Sequence, residues 1–355
     1  MARFGKRILA PRDGITATRL RAPGGTQTHD AQDLPVPASI REWLRDSVIP
    51  AATAHEEVLD AEDLHLDYFT GPGELTDQNG RRASLDDAVI PGGFYVFHKP
   101  TPPEARVPFE ISIVHEDDDL LIVDKPHFLA STPNGAFVRE CVVTRLRVER
   151  GEDDLVAIHR LDRVTGGLLA VSRRTSTRGA YQVLFQQRGI TKSYRALANL
   201  PEGWRPGDPL PLGLESGEPR ERRTLLQKIS GDRAVREIDG APNTHTTIRL
   251  ARTFPYQGRW VGEFELSPHT GKTHQLRVHM NGLGLPIFGD PVYPRDINPD
   301  PYDFSSTLQL LAERLEFDDP FTGTTRTFHT RMTLDPAAAS PRSSSGSSSP
   351  MSARI

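Results

Sequence analysis

Residues 157–174, AIHRLDRVTGGLLAVSRR, set one carboxylate, Asp162, among four arginines and beside an apolar run. A lone acid in that setting has two physical readings. It can be the counter-ion that holds a basic loop in shape. It can also be a reacting group, with the arginines there to hold a polyanion against it. The formal net charge of −4 argues against a polyanion only until it is divided along the chain. Residues 159–195 carry eight Lys and Arg against Asp162 alone, whereas residues 56–119 carry sixteen acids against four bases. Attraction to phosphates follows the local field, so the basic segment is the candidate contact. The plain alternative is a solvated face of arginines.

Other chemistry is excluded by spacing. GKTH at 271–274 lacks the partner glycine of a phosphate-binding P-loop, because the position five residues earlier is Leu266. His269, His274 and His279 recur every fifth residue. A five-residue step on a helix turns by about 140°, so His274 and His279 diverge and do not form the i, i+4 pair of a zinc site. No nucleophile elbow and no dinucleotide fingerprint is present. The single cysteine, Cys141, excludes an internal disulfide and reads as a small core residue. No apolar run reaches the length of a membrane span, and the basic N-terminus lacks the apolar stretch of a secretory signal. These features predict a cytoplasmic protein without a metal or cofactor.

The elements that must position Asp162 follow from periodicity. At 355 residues the chain accommodates two domains. Residues 1–35, rich in Arg, Pro, Gly and Thr, show no sustained period and read as a flexible arm. IREWLRDSVI has helical spacing, and a strand ends at Pro100, so residues 36–100 form a small α+β domain. Residues 101–110 are a Pro-rich linker. Runs at 111–114 and 120–123 flank an acidic turn, the mark of a hairpin. Gly166 and Gly167 break the chain before the strand LLAV. The following helix, capped by Thr175 or Ser176, puts Ala180, Tyr181, Leu184 and Phe185 on one face. ITKSYRALA, TTIRLAR and RWVGEFELS alternate as strands, and THQLRVHMNGLG is a helix. Strands outnumber helices, so the expectation is an α+β fold with a central, mostly antiparallel mixed sheet flanked by helices. The Ser/Pro-rich residues 334–355 read as a disordered tail.

Six segments, in order, resemble the motifs of RluA-type pseudouridine synthases. HRLDRVTGGLLAVSR resembles the catalytic HRLDxxTSGLLLxAK, and VDKPHFLASTP is similar to KPxGLxxxP. TKSYRALA resembles KxYxAxV, and TGKTHQLRVHM resembles TGRTHQIRVH. GLPIFGDPVYP and LQLLAERLEF are similar to GxPIxGDxxYG and LHAxxLxF. The resemblance covers residues 111–333. It departs at Gly166 (Ser in the family), Phe128 (Gly) and Gln309 (His). Residues 36–100 resemble, weakly, the small αL RNA-binding domain of many members, and their acidic balance opposes RNA contact.

The resemblance implies the pseudouridine synthase fold over 111–333 and the isomerisation of uridine to pseudouridine in RNA, ribosomal or transfer, without metal or cofactor. Asp162 matches the catalytic acid, acting as nucleophile or as base at the sugar. Arg277 matches the cation that pairs with it, since a carboxylate working beneath a base needs a fixed positive charge beside it. Tyr194 matches the aromatic residue that stacks on the extracted base and whose hydroxyl can assist proton removal at carbon 5. Arg160 would reach into the gap left by the extruded nucleotide. Arg163, Arg173, Arg174, Lys192 and Arg195 would bind phosphates. The protein is expected to work as a monomer with no obligate protein partner. A non-catalytic RNA-binding protein on the same fold is the competing reading, and Asp162, Tyr194 and Arg277 being all present speaks against it.

Overall fold

The structure is a computed structural model that describes residues 7–24, 35–50, 65–101, 103–135, 137–187 and 189–339. They separate into two compact units. One takes in the residues up to Arg106 together with Thr132–Leu155; the other takes in Val107–Ser131 and the residues from Val156 onward.

The first unit contains β1 (Thr18–Arg21), α1 (Ile40–Trp43), α2 (Leu66–Thr70), β2 (Thr76–Asp77), β3 (Phe94–Phe97) and α3 (Val142–Arg150). Ser39 caps α1 by accepting from the Glu42 amide at 3.3 Å. The strands pair in the order β1-β3-β2. Tyr95 and Phe97 alternate inward to pack with Ile40, Trp43 and Phe69. Two expectations are corrected here. Thr18–Arg21 lies within the segment read as a flexible arm, yet it pairs antiparallel with β3. A four-residue strand is too short to show a period, and its order comes from tertiary pairing. The single catalytic segment expected over 111–333 is also interrupted, because Thr132–Leu155 belong to the first unit. Buried Arg147 of α3 donates to the Gly14 carbonyl and to Thr16 Oγ1, both at 2.9 Å. The Glu104 carboxylate accepts the amides of Val138, Arg139 and Glu140 at 2.8–2.9 Å.

The second unit is built on an 11-stranded sheet, nine strands in the order β10-β9-β11-β12-β8-β13-β7-β5-β4, with β14 paired to β13 and β6 to β7. Its strands are β4 (Ser112–Glu116), β5 (Leu120–Lys125), β6 (Val156–Ala157), β7 (Gly166–Ser172), β8 (Ile190–Asn199), β9 (Arg220–Lys228), β10 (Val235–Ile238), β11 (Thr244–Tyr256), β12 (Arg259–Pro268), β13 (Leu310–Asp318) and β14 (Thr325–His329). Every pairing is antiparallel except β13 with β7. The architecture is therefore α+β around a mostly antiparallel mixed sheet, with α4 (Thr175–Gln186) and α5 (Gln275–Gly282) as its helices of four turns or fewer. Leu276 and Met280 of α5 pack into one core with Ala196, Ala198, Phe264 and Leu266, and Tyr194 lies against it.

Gly166 and Gly167 lie inside β7 and do not break the chain before it. Gly167 has φ +105°, and a Cβ there would stand 2.3 Å from the Ala312 carbonyl oxygen, so only glycine lets β13 come this close. The N-cap position of helix α4 falls on Arg174, one residue before the expected cap, and its side chain makes no capping bond. The tail expectation is corrected at its start: Pro336–Ala339 form a 3-10 turn. The Ala338 carbonyl accepts from the Thr307 amide at 2.8 Å, and Ala339 is buried. Backbone hydrogen bonds dock this stretch, which its composition does not reveal. The rest of the tail lies outside the described residues. Among the described residues, no helix is long and apolar enough to cross a membrane.

Candidate active site

Asp162 sits in the loop between β6 and β7, and the backbone on either side of it is pinned. Ser131 Oγ donates to the Leu161 carbonyl at 2.8 Å and accepts from the Leu161 amide at 2.9 Å. Lys125, wholly buried at the end of β5, donates to the carbonyls of Pro126 (3.0 Å), Leu129 (2.8 Å) and Arg163 (3.1 Å). An ammonium has three protons, and three carbonyls take them. Burial nevertheless pulls the Lys125 pKa down to about 7, partly opposed by the charge of Asp162.

Arg277, on α5, brings the cation. Its Nη1 lies 3.3 Å from Asp162 Oδ2, and its other edge forms a fork on Asp290 at 2.8 and 2.7 Å. The Arg277 side chain is 2% exposed and that of Asp290 0%. Asp290 Oδ1 also accepts the amides of Val292 and Tyr293. Burial opposes the Arg277 charge, but the ion pairs with Asp290 and Asp162 outweigh it and hold its pKa above the usual arginine value. Asp162 itself is 28% exposed, and its Oδ1 has no hydrogen-bond partner among the described residues. One oxygen is anchored and the other is open.

A second nitrogen faces the same carboxylate. His274 Nε2 is 3.8 Å from Asp162 Oδ2, and its Nδ1 is 3.1 Å from the Tyr293 hydroxyl. That hydroxyl accepts the Val235 amide at 2.8 Å and donates to the Val235 carbonyl at 3.1 Å. Burial drives the His274 pKa down to about 4, against the attraction of Asp162.

Tyr194 of β8 lies against the core on the α5 side of the sheet. Burial first, and the negative charge of Asp162 second, push its hydroxyl pKa above the ordinary value. The three expected catalytic residues thus converge. The basic side chains do not. Arg160 is exposed. Arg163 folds back, donating to the Phe128 carbonyl at 3.1 Å with its guanidinium 5.9 Å from that ring. Arg173 pairs with Glu116 at the end of β4 at 3.1 Å, and Arg174 with Asp118 on the acidic β4–β5 turn at 2.8 Å. Lys192 stands 5.1 Å from the Phe185 ring, and burial lowers its pKa. Arg195 is held by Glu263 at 2.9 Å and Glu313 at 2.5 Å. It follows Tyr194 directly in a strand, so it points to the opposite face.

The departures from the family pattern have local causes. A Cβ at Gly166 would meet His127 Nε2 at 2.8 Å and Met332 Cε at 2.9 Å. Phe128 takes φ +68°, a region that favours glycine. Its ring is held between Phe109 (5.9 Å, stacked) and Phe304 (5.3 Å, edge-on). Gln309 is buried, donating to Thr307 Oγ1 and accepting from the Asp335 amide, each at 2.8 Å. His159 stacks on Phe185 at 4.7 Å, and its Nε2 accepts the Ala170 amide.

Lys125, His274, Asp290 and Tyr293 were not assigned from sequence, although VDKP, GKTH and GDPVYP contain them. The signal was a polar residue inside an otherwise matched motif. The three regularly spaced histidines go separate ways. His269 bonds Thr247, His279 bonds three threonines and His274 faces Asp162.

Residues 119–282 match the family model described as RNA pseudouridylate synthase. An uncharacterized RNA pseudouridine synthase of Synechocystis is 31% identical over 197 residues, covering 54% of this chain and 60% of that protein. The ribosomal large subunit pseudouridine synthase D of Vibrio vulnificus is 30% identical over 62% of this chain and 66% of its own length. The chain thus spans less than two thirds of these two relatives. The dual-specificity RNA pseudouridine synthase RluA of Vibrio parahaemolyticus is 32% identical over 208 residues, 59% of this chain and 78% of the relative. With that much of a relative matched, and with the ordered motifs meeting around Asp162, the chain belongs to the RluA-type family of RNA pseudouridine synthases.

Proposed function

We propose that this chain isomerises selected uridines to pseudouridine in structured RNA, ribosomal large-subunit or transfer RNA, as a monomer in the cytoplasm and without a cofactor. The N-glycosidic bond breaks, the base turns, and a new bond forms through carbon 5. The observation that carries the reading is the Asp162–Arg277 contact at 3.3 Å, which leaves Oδ1 of the acid open. Arg277 orients the carboxylate, and the buried fork on Asp290 fixes Arg277. Asp162 then acts at the sugar of an extruded nucleotide, as nucleophile or as base. Tyr194 stacks on the base. Its raised pKa favours a neutral hydroxyl that donates a hydrogen bond over a phenolate base. Arg160, exposed and two residues from the acid, together with Lys192 and Arg163, contacts the RNA. Arg173, Arg174 and Arg195 serve mainly to hold the framework through their acids.

The test is to incubate the purified chain with total RNA from cells lacking its gene and to map pseudouridines by position. Wild type should add discrete sites, and Asp162→Asn should add none while still binding RNA. Binding by wild type with no new site would return the chain to a silent RNA-binding protein.

A further inference from the structure

We propose that His274 is a substrate-contacting residue whose Nε2 accepts a hydrogen bond from the 2′-hydroxyl of the target ribose, so that the catalytic centre itself distinguishes RNA from DNA. The inference rests on the reading of this site as a pseudouridine synthase.

The argument begins with a proton count. The Tyr293 hydroxyl has one proton and two acceptors at 3.1 Å, the Val235 carbonyl and His274 Nδ1, and we assign the proton to the carbonyl. One of its lone pairs accepts the Val235 amide at 2.8 Å. What remains for His274 is a second lone pair, so the proton in the 3.1 Å contact belongs to His274 Nδ1. Neutral imidazole carries one proton, which leaves Nε2 bare. The low His274 pKa, caused by burial, keeps the ring neutral at physiological pH.

A bare nitrogen lone pair therefore faces the catalytic carboxylate at 3.8 Å. Two acceptors at that separation gain nothing from each other, so the arrangement has no use as an internal contact. It is nonetheless enforced. His274 holds φ +55° at the start of α5, a conformation that a residue other than glycine keeps only where its surroundings demand it. Those surroundings are the Tyr293 hydroxyl and the ring, which meets the Tyr293 ring edge-on at 5.8 Å. The side chain is 15% exposed, so a ligand atom can reach it. An enzyme that works at C1′ of a ribose must bring the sugar against Asp162. The one donor next to that carbon is the 2′-hydroxyl, the group that separates RNA from DNA. An acceptor fixed beside the carboxylate matches it.

The experiment compares turnover on two RNAs that differ only by a 2′-deoxy sugar at the mapped target, for wild type, His274→Phe and Tyr293→Phe. Wild type should lose roughly ten- to a hundredfold on the deoxy substrate. His274→Phe should be slow on the ribose substrate and show little further loss on the deoxy one. Tyr293→Phe removes only a hydroxyl and frees the Nδ1 proton to move to Nε2, so it too should narrow the ratio. It serves as the readout if His274→Phe does not fold. Equal discrimination by wild type and the variants would overturn the proposal, and so would a wild type indifferent to the 2′-hydroxyl. A wild type that isomerises no uridine in the ribose substrate would instead sink the functional reading beneath it.

Discussion

Arg277 and Asp162, 115 positions apart in the chain, meet at 3.3 Å because α5 packs on the sheet face that carries Tyr194. Neither residue does its work alone. Arg277 gives one oxygen of the acid a fixed place and leaves the other open, as the proposed reaction at the sugar requires. Arg277→Ala should therefore cut turnover at saturating RNA by at least roughly a hundredfold. It also leaves Asp290 buried without its cation, a loss of about 3–5 kcal/mol by comparison with other broken buried pairs. Turnover and denaturant unfolding measured on one preparation check both. Unchanged turnover would dissolve the pair as a catalytic unit.

Asp290→Asn tests the support behind Arg277. The amide keeps the shape of the carboxylate but not its charge, and only one oxygen remains for the fork. Asp290 contacts Arg277 and backbone amides and, among the described residues, makes no hydrogen bond to Asp162. The expected result is a fall in kcat of about tenfold or more with KM for RNA nearly unchanged. A change confined to KM would place Asp290 in RNA binding.

The grouping of Asp162, Tyr194 and Arg277 was legible in the sequence because each lies in a motif whose order along the chain is kept. Its supports were less so. Asp290 and Tyr293 share GDPVYP, and nothing in six residues shows that one will fork onto an arginine while the other clamps the backbone at Val235. Such contacts join distant segments, and local pattern does not encode them. Arg195 is a different case. Alternation along ITKSYRALA already sets it opposite Tyr194, so its partners Glu263 and Glu313 could have been anticipated on the far face. Thr132–Leu155 lay beyond reach, because buried Arg147 looks like any helix arginine until its carbonyl partners are known.

Stability should fall in mild acid. Burial, as the leading cause, lowers the pKa of His127 to about 4, His159 to about 3, His274 to about 4 and His279 to about 4. In the unfolded chain each would titrate near 6.5. Between those values the unfolded state binds more protons than the native state, so stability is complete above about pH 6.5 and is lost as pH falls through the folded pKa values. Each histidine contributes at most about 1.4 kcal/mol per pH unit in that window. Melting temperatures at pH 8, 6.5, 5.5 and 4.5 should be flat between the first two and then drop. A flat profile down to pH 4.5 would mean these rings are not held neutral.

Salt dependence separates cations that meet RNA from cations that hold the fold. A side chain that neutralises a phosphate releases a counterion on binding, so its loss makes the slope of log affinity against log salt shallower by roughly 0.7 to 0.9. Arg160 is exposed two residues before Asp162, and Arg160→Ala should show that change. Arg195 is committed to Glu263 and Glu313. Its removal should leave the slope within error and lower the melting temperature instead, since Glu313 loses its partner and buried Glu263 keeps only Arg252. Arg174, paired with Asp118 at 2.8 Å on an exposed turn, is the intermediate case. An exposed pair contributes little to stability and can open toward a phosphate, so Arg174→Ala should shift the slope by less than one full contact. A full shift for Arg195→Ala, with none for Arg160→Ala, would place the RNA on the opposite face of the sheet from Asp162.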